Sequence, residues 1–208
     1  MIQLLLLASP FGGAQQNNDP YFWLHLASLA WIVFLVYWLV SARKLKAVKR
    51  REPLGERLVQ ICIMAAAYVL MFNDQAGRGW LRTRFLPDSA AIGCAGVALT
   101  FLGVSFAIWA RRHLGENWSA TVTVKEGHEL IRSGPYRRIR HPIYTGMLLG
   151  FAGSAIALGE YRGLIALALA TANLYAKARK EEGFLTREFG EAFEEHKRHT
   201  GMFLPNLT

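Results

Sequence analysis

The residues with the clearest capacity for chemistry form one basic segment and one acidic pair. Guanidinium, imidazole and phenol groups come from the segment Ser133-Gly-Pro-Tyr-Arg-Arg-Ile-Arg-His-Pro-Ile-Tyr-Thr-Gly146, and carboxylates come from Glu181 and Glu182. Two apolar stretches, residues 143–158 and 164–176, separate the two groups, so a helical hairpin would return both groups to one edge of a membrane. Basic donors that face carboxylates are suited to a ligand that itself carries charge. The pattern predicts a site for a charged small molecule and not a simple membrane anchor.

The order of residues in the basic segment predicts where a helix begins. Pro142 fits the first helical turn, because its missing N–H would have no partner there in any case. Arg140 and His141 are thereby placed at the start of the helix. The unpaired N–H groups and the positive dipole end of a helix start favour an anion.

Apolar residues make up 52% of the 208 residues and occur in long blocks. The blocks cover residues 21–40, 58–72, 90–110, 143–158 and 164–176. A membrane helix needs about 20 apolar residues, which the first and third blocks supply, and the second qualifies if Arg57 reaches the interface. The last two blocks are predicted to form a helical hairpin. The sequence thus predicts a single domain over residues 1–208, an all-α polytopic integral membrane helix bundle of about five spans.

The 24 Lys and Arg residues are concentrated in alternate connecting segments. Residues 43–57 hold seven of them, residues 111–140 another seven and residues 177–198 six, and the others are Arg78, Arg82, Arg84 and Arg162. The positive-inside rule then predicts an outer N-terminus, an inner C-terminus and a site that faces the cytosol. The net charge of +9 does not indicate nucleic-acid binding, because the basic residues alternate with apolar blocks.

Three further patterns complete the predicted architecture. Residues 177–198 predict one polar cytosolic helix after the last span, since apolar residues recur there at helical spacing. Gly146 and Gly150 form a GxxxG pattern, for which helix packing is the expected role. Cys62 and Cys94 fall inside predicted spans and are expected to be buried packing residues. Neither a disulfide framework nor a metal site is predicted from them or from the rest of the chain.

A set of short motifs occurs in a fixed order along the C-terminal half of the chain. The motifs are Gly115-x-Asn117-Trp118, His128-Glu-Leu-Ile131, Gly134-Pro-Tyr136, Arg140-His-Pro-x-Tyr144-x-Gly146, Glu181-Glu182, Phe189-Gly190 and Pro205. This ordered set resembles the isoprenylcysteine carboxyl methyltransferase family and its relatives among membrane phospholipid methyltransferases. The resemblance begins at the third span, and the earlier spans match only as hydrophobic helices.

The resemblance implies an integral membrane enzyme that uses S-adenosylmethionine. It divides the chain into N-terminal spans over residues 21–110 and a cofactor-binding half over residues 111–208. The residues that the resemblance implies for cofactor binding are His128, Glu129, Leu130, Ile131, Tyr136, His141, Pro142, Ile143, Tyr144 and Glu181. Arg140 at the helix start and Glu182 beside Glu181 are further candidates for the same site. Methyl transfer from a sulfonium depends on positioning and exclusion of water, so no catalytic triad is expected.

The resemblance places binding of the methyl acceptor at Lys177, four residues before Glu181, where the family often has arginine. Lysine keeps the charge but lacks the planar bidentate fork, which weakens the case for a carboxylate acceptor. Arg111 and Arg112 end the third span and are expected to be stop-transfer charges, with the alternative that one of them faces an anionic acceptor. These three residues are the candidate catalytic residues.

The resemblance leaves several functions open. A prenylated cysteine carboxylate is the acceptor that the family implies, and a phospholipid amine or a small lipophilic thiol are alternatives within the same class. More distant alternatives are a nicotinamide-dependent enzyme similar to membrane sterol reductases and a non-catalytic membrane protein. The expected partners are membrane lipids and a lipophilic methyl acceptor.

Overall fold

The computed structural model describes residues 20–41, 54–115 and 130–206, and these residues are mainly helical. The helices are α1 (Pro20–Ser41), α2 (Leu54–Phe72), α3 (Ala90–Leu114), α4 (Pro142–Leu158), α5 (Tyr161–Phe189) and α6 (Glu191–His199). Two short 3-10 turns cover Gly79–Arg82 and Gly134–Arg137. Over the described ranges, strand pairing is limited to isolated bridges, one of them between Ile139 and Gly201. The predicted all-α class is confirmed for this part of the chain.

Three of the described helices, α1, α2 and α3, are long and apolar enough to cross a membrane. Helix α4 is apolar but shorter, with 17 residues. Helix α5 has 29 residues, of which the first half is the apolar block at residues 164–176 and the second half is charged. Three candidate spans are therefore shown, whereas the count of five and the orientation stay predictions.

Helices α3 and α4 lie against each other at backbone distance. A Cβ atom added to Gly146 would lie 2.6 Å from the amide nitrogen of Ala107 and 2.6 Å from the carbonyl oxygen of Gly103. Gly150, one turn later, instead faces the Trp31 ring of α1, which a Cβ atom would approach to 2.8 Å. Small residues permit this close approach of helices. The GxxxG pattern thus packs α4 against two neighbours and fixes its position relative to the end of α3.

An aromatic cluster around Trp31 joins α1, α2 and α4. The Trp31 ring lies 5.5 Å from Phe34, 5.3 Å from Tyr68 and 5.0 Å from Phe151 between ring centroids, each in an edge arrangement. Edge-to-face contacts of this kind add to the gain from burial. The indole N–H of Trp31 also donates to the Ser154 hydroxyl at 3.0 Å. The N-terminal helices are thereby fixed to α4, the helix whose first residues carry the predicted site.

A buried ion pair lies at the opposite end of α4 from the predicted site. Gly159, with φ of 70°, ends α4, and α5 begins two residues later, as the predicted hairpin requires. Arg162 is fully buried, and its Nε donates to Glu160 Oε2 at 2.6 Å. The same guanidinium donates to the carbonyl oxygens of Leu70 at 3.0 Å and Asn73 at 2.8 Å. The end of α2 is thereby bound to the start of α5.

Two expectations about the helices are wrong. Residues 177–198 do not form one helix. Helix α5 continues from the apolar block to Phe189, and Gly190 separates it from α6. Gly190 has φ of 52°, a conformation that interrupts a helix and that glycine adopts readily. Cys62 and Cys94 are exposed on the outside of the bundle and not buried. Outward faces of membrane helices are themselves apolar, so an apolar run does not mark a position as interior.

Candidate functional site

The loop before α4 is held against the end of α3. Gly134 adopts φ of 56°, and a Cβ atom there would lie 2.6 Å from the imidazole of His113. The His113 ring also hydrogen-bonds to the Ser133 hydroxyl at 2.9 Å. Tyr136 is buried, and its hydroxyl lies 3.4 Å from the Ala110 carbonyl oxygen. The sequence predicted Tyr136 as a cofactor contact, and the structure places it as a contact between the loop and α3.

The start of α4 meets the acidic pair of α5. Pro142 occupies the first turn of α4, as predicted, and His141 directly precedes it. The Arg140 Nε donates to Glu182 Oε1 at 2.6 Å. His141 lies between the two carboxylates, with Nδ1 3.4 Å from Glu181 Oε2 and Nε2 3.4 Å from Glu182 Oε1. The predicted cations and the predicted carboxylates are therefore in one cluster.

Tyr144 and Lys177 extend this cluster by one helical turn. The Tyr144 hydroxyl donates to Glu181 Oε1 at 2.5 Å, and its ring is parallel to that of His141 at 5.4 Å between centroids. The Lys177 ammonium lies 5.7 Å from the centroid of the Tyr144 ring, a cation–π distance. We call Arg140, His141, Tyr144, Lys177, Glu181 and Glu182 the polar cluster.

Exposure divides the members of the polar cluster into two groups. The side chains of Arg140, His141 and Glu182 are 12%, 6% and 7% exposed, whereas that of Glu181 is 23% exposed. Arg140 and Glu182 largely satisfy each other, since the guanidinium also donates to the Thr200 carbonyl oxygen. Glu181 is thus the carboxylate that a ligand reaches more easily.

In the polar cluster, charge pairing shifts the pKa values more than burial does. Burial alone raises the pKa of Glu182, but the close contact with His141 and the hydrogen bond from Arg140 overcome this effect and hold the pKa at about 2. For Glu181 burial acts in the same way, and contacts with His141, Lys177 and Tyr144 lower its pKa. Burial disfavours the charged imidazole of His141, yet the two carboxylates raise its pKa above the usual range. The cluster favours two carboxylates with an imidazolium between them.

These shifts predict how stability changes with pH. Carboxyl groups with lowered pKa values stabilise the fold above their unfolded pKa of about 4.3, and His141 stabilises it below its unfolded pKa of about 6.5. The contribution of the cluster is therefore full between these values. This contribution is lost on the acidic side as the pH falls through the native pKa of Glu182. It is lost on the alkaline side as the pH rises through the raised pKa of His141.

Tm values measured in detergent from pH 4 to 9 should fall on the alkaline side, and a His141→Gln variant should lack that decline. Equal slopes of Tm against pH on the alkaline side in the two proteins would contradict the assignment of this decline to His141.

The other predicted residues have varied positions. Pro142 and Ile143 are buried in the bundle, and Ile131 packs beside Ile143 as part of the same apolar group. Leu130 is half-buried. His128 and Glu129 lie outside the described residues, as do Asn117 and Trp118 of the first motif.

The two arginines at the end of α3 differ in their surroundings. Arg111 is buried and donates to the carbonyl oxygens of Gly115 at 2.8 Å and Ser41 at 3.2 Å, so it binds α3 to the end of α1. Arg112 is exposed. Of the three candidate catalytic residues, Lys177 is the one placed within the polar cluster by its contact with Tyr144.

Residues near the C-terminus contact the site, and the sequence did not predict this. The backbone N–H groups of Arg140 and His141 donate to the carbonyl oxygens of Gly201 at 2.9 Å and Met202 at 3.0 Å. The Thr145 hydroxyl lies 2.7 Å from the Phe203 carbonyl oxygen, to which it donates. Pro205 in the motif set was the only sign in the sequence that the tail belongs to this region.

The fold and the site together define a class, namely helical proteins with apolar membrane-length helices and a charged cluster at one end of the bundle. Residues 92–192, just under half of the chain, match the model of the phospholipid methyltransferase family. That stretch begins in α3 and ends in α6, so it contains the whole polar cluster. The resemblance to membrane methyltransferases that the motifs indicate is confirmed.

The relatives of this chain include metal-resistance proteins as well as isoprenylcysteine methyltransferases. The chain is 37% identical to the cobalt-zinc-cadmium resistance protein CzcN of Cupriavidus metallidurans over 54% of this chain and 50% of the relative. It is 35% identical to a probable protein-S-isoprenylcysteine O-methyltransferase of Oryza sativa over 38% and 42%. It is 26% identical to protein-S-isoprenylcysteine O-methyltransferase of Schizosaccharomyces pombe over 44% and 40%. The chain thus spans about half the length, or less, of these curated relatives.

Proposed function

We propose that this protein is an S-adenosylmethionine-dependent methyltransferase that acts on a lipophilic acceptor at the cytosolic face of a membrane. The observation that carries the proposal is the meeting of His141 and Tyr144, at the start of α4, with Glu181 of α5. All three lie in the stretch that matches the phospholipid methyltransferase family. The positive-inside pattern supports the orientation, and α4 with the first half of α5 would complete five spans.

The residues at this site fit the chemical groups of S-adenosylmethionine. Glu181 is the more open carboxylate and suits the cofactor's ammonium group or ribose hydroxyls. The Nε2 of His141 is buried and makes no hydrogen bond of good geometry, although it lies 3.4 Å from Glu182. A charged imidazole beside the first N–H groups of α4 suits the cofactor's carboxylate. Arg140 and Glu182 then act by holding His141 in place.

Methyl transfer requires little acid–base catalysis by the protein. Bound S-adenosylmethionine supplies a methyl group that its positive sulfur has already activated for transfer. The chain must bind and orient the acceptor and exclude water, which requires position more than a proton relay. Lys177 lies on the Tyr144 ring and one turn before Glu181, so it is our candidate for contact with the acceptor's polar group. The acceptor's apolar part would lie among the lipid-facing side chains of the bundle.

Two measurements test the proposal in sequence. Isothermal titration of the detergent-solubilised protein with S-adenosylhomocysteine should give saturable binding, and absence of heat at high micromolar concentration would contradict it. Transfer of a radiolabelled methyl group on membranes that contain the protein should then give a labelled product that partitions into organic solvent. Identification of that product distinguishes a prenylated cysteine, a phospholipid and a small thiol as acceptors. Binding of NADPH without any response to the methyl donor would instead favour a reductase.

Glu181→Gln is expected to weaken binding of S-adenosylhomocysteine about tenfold or more, because hydrogen bonds to a charged group contribute about 1.5–3 kcal/mol. The amide keeps the shape of the side chain but loses the charge. Glu188→Gln is the matched control, since Glu188 lies on the same helix and is exposed. Unchanged affinity in Glu181→Gln would refute the role given to Glu181.

A further inference from the structure

The chain after α6 runs beside the loop before α4. Ile139 pairs with Gly201 in a parallel bridge, and the N–H of Gly201 donates to the Arg138 carbonyl oxygen at 3.2 Å. The N–H groups of Arg140 and His141 donate in turn to Gly201 and Met202. The two segments therefore exchange backbone hydrogen bonds through Arg138, Arg140 and His141 of the loop. We call residues 200–203 the C-terminal strap.

Side chains strengthen this pairing at both ends of the strap. The Arg140 guanidinium donates to the Thr200 carbonyl oxygen, in addition to its ion pair with Glu182. At the other end, the buried hydroxyl of Thr145 donates to the Phe203 carbonyl oxygen at 2.7 Å. The strap is thus bound to α4 one turn after the helix begins.

The contacts of the strap converge on His141. Its N–H donates to the Met202 carbonyl oxygen, and its ring contacts the rings of Tyr144 and Phe203. The Phe203 ring meets the imidazole edge-on at 6.2 Å and 70°. An imidazole held by its backbone and by two rings has few orientations open to it. The direction of its nitrogens therefore depends on the strap as well as on the acidic pair.

We propose that the C-terminal strap and Thr145 are positioning elements of the cofactor site, acting through His141. This inference rests on the function proposed above. It goes beyond that function because it extends the site to residues 200–203, which lie outside the stretch that matches the family. A chain whose strap is displaced keeps its helices but binds the cofactor weakly.

Gly201→Ala displaces the strap with the smallest possible change. A Cβ atom on Gly201 would overlap the carbonyl oxygen of Leu204, so the backbone must shift at Gly201 or at Leu204, which directly follows the strap. Gly183→Ala is the matched control, because Gly183 lies on α5 beside Glu182 and a Cβ atom there meets nothing within 4 Å. A second pair of variants is Thr145→Val, which removes the hydroxyl, and Thr145→Ser, which keeps it.

Two measurements on the full-length detergent-solubilised protein test the positioning role of the strap. We expect Gly201→Ala and Thr145→Val to weaken S-adenosylhomocysteine binding at least tenfold and to accelerate hydrogen exchange at the amides of Arg140 and His141 by at least tenfold. Gly183→Ala and Thr145→Ser should stay within twofold of the unaltered protein in both. If Gly201→Ala does not fold, the Thr145 pair decides alone.

The outcomes separate this inference from the proposed function. Faster exchange with unchanged affinity would overturn the positioning role, and unchanged exchange in Gly201→Ala would overturn the strap itself. If the unaltered protein binds no S-adenosylhomocysteine, the proposed function fails and the role in cofactor binding fails with it. The exchange measurement would still show whether the strap holds the loop.

Discussion

Arg162→Ala should lower the free energy of unfolding by about 3–5 kcal/mol, because it leaves a buried carboxylate without its partner. Glu160 is 5% exposed and receives the Nε hydrogen bond of Arg162 at 2.6 Å. Its other oxygen accepts from the Tyr21 hydroxyl of α1 at 3.1 Å. The substitution also removes both bonds to the end of α2 at Leu70 and Asn73. Helices α2 and α5 therefore lose the connection that Arg162 makes between them.

Denaturant titration of the variants in detergent micelles measures this loss of stability. The double variant Glu160→Leu/Arg162→Met should be more stable than Arg162→Ala, since replacement of both partners by apolar groups leaves no buried charge unpaired. Arg198→Ala is the control, because the Arg198 side chain is 63% exposed in its pair with Glu195, and exposed pairs contribute about 0–1 kcal/mol. A loss in Arg162→Ala no larger than in Arg198→Ala would show that the buried pair does not hold the helices.

Gly146→Leu should cost about 3 kcal/mol or more of stability, because overpacking where two backbones touch leaves no side chain free to move aside. The Cβ alone would lie 2.6 Å from backbone atoms of both Gly103 and Ala107. Helix α4 would have to move away from α3, and Tyr144, two residues earlier, would move with it. We therefore expect the variant to lose S-adenosylhomocysteine binding as well as stability.

Thermal unfolding and isothermal titration on the same preparation test this second expectation. Gly183→Ala again serves as the control, since a Cβ atom there is in open space. Replacement of glycine by alanine inside a helix is expected to stabilise it by about 0.5–1 kcal/mol where nothing is in the way. A Gly146→Leu protein that melts and binds like the unaltered chain would contradict the close packing of α3 and α4.

The helices were predictable where local chemistry determines them. Apolar runs identify α1, α2 and α3, and Pro142 identifies the start of α4, because hydrophobic length and the missing N–H act on neighbouring residues. The break at Gly190 was missed, since a helical spacing of apolar residues continues across it. A single glycine conformation interrupted a pattern that the surrounding side chains favoured.

The members of the polar cluster were predictable from the sequence, but their pairing was not. The motifs contain Arg140, His141 and the acidic pair, and from the sequence we expected the cations to bind a ligand. The structure instead binds Arg140 to Glu182 and to the Thr200 carbonyl oxygen. Partners separated by dozens of residues leave no local pattern, which is also why the burial of Arg162 was not foreseen.

Helix α5 carries a charged group near each of its ends, and their separation has a consequence for the lipid around the protein. Arg162 and Glu181 belong to the same uninterrupted helix, and at 1.5 Å per residue they are about 29 Å apart along its axis. The hydrocarbon layer of a typical bilayer is about 30 Å thick. In the proposed five-span arrangement, α5 would place Arg162 near one boundary of this layer and the polar cluster near the other. A thicker bilayer would then draw one of these groups into hydrocarbon, so we expect the stability of the protein in a membrane to depend on acyl-chain length.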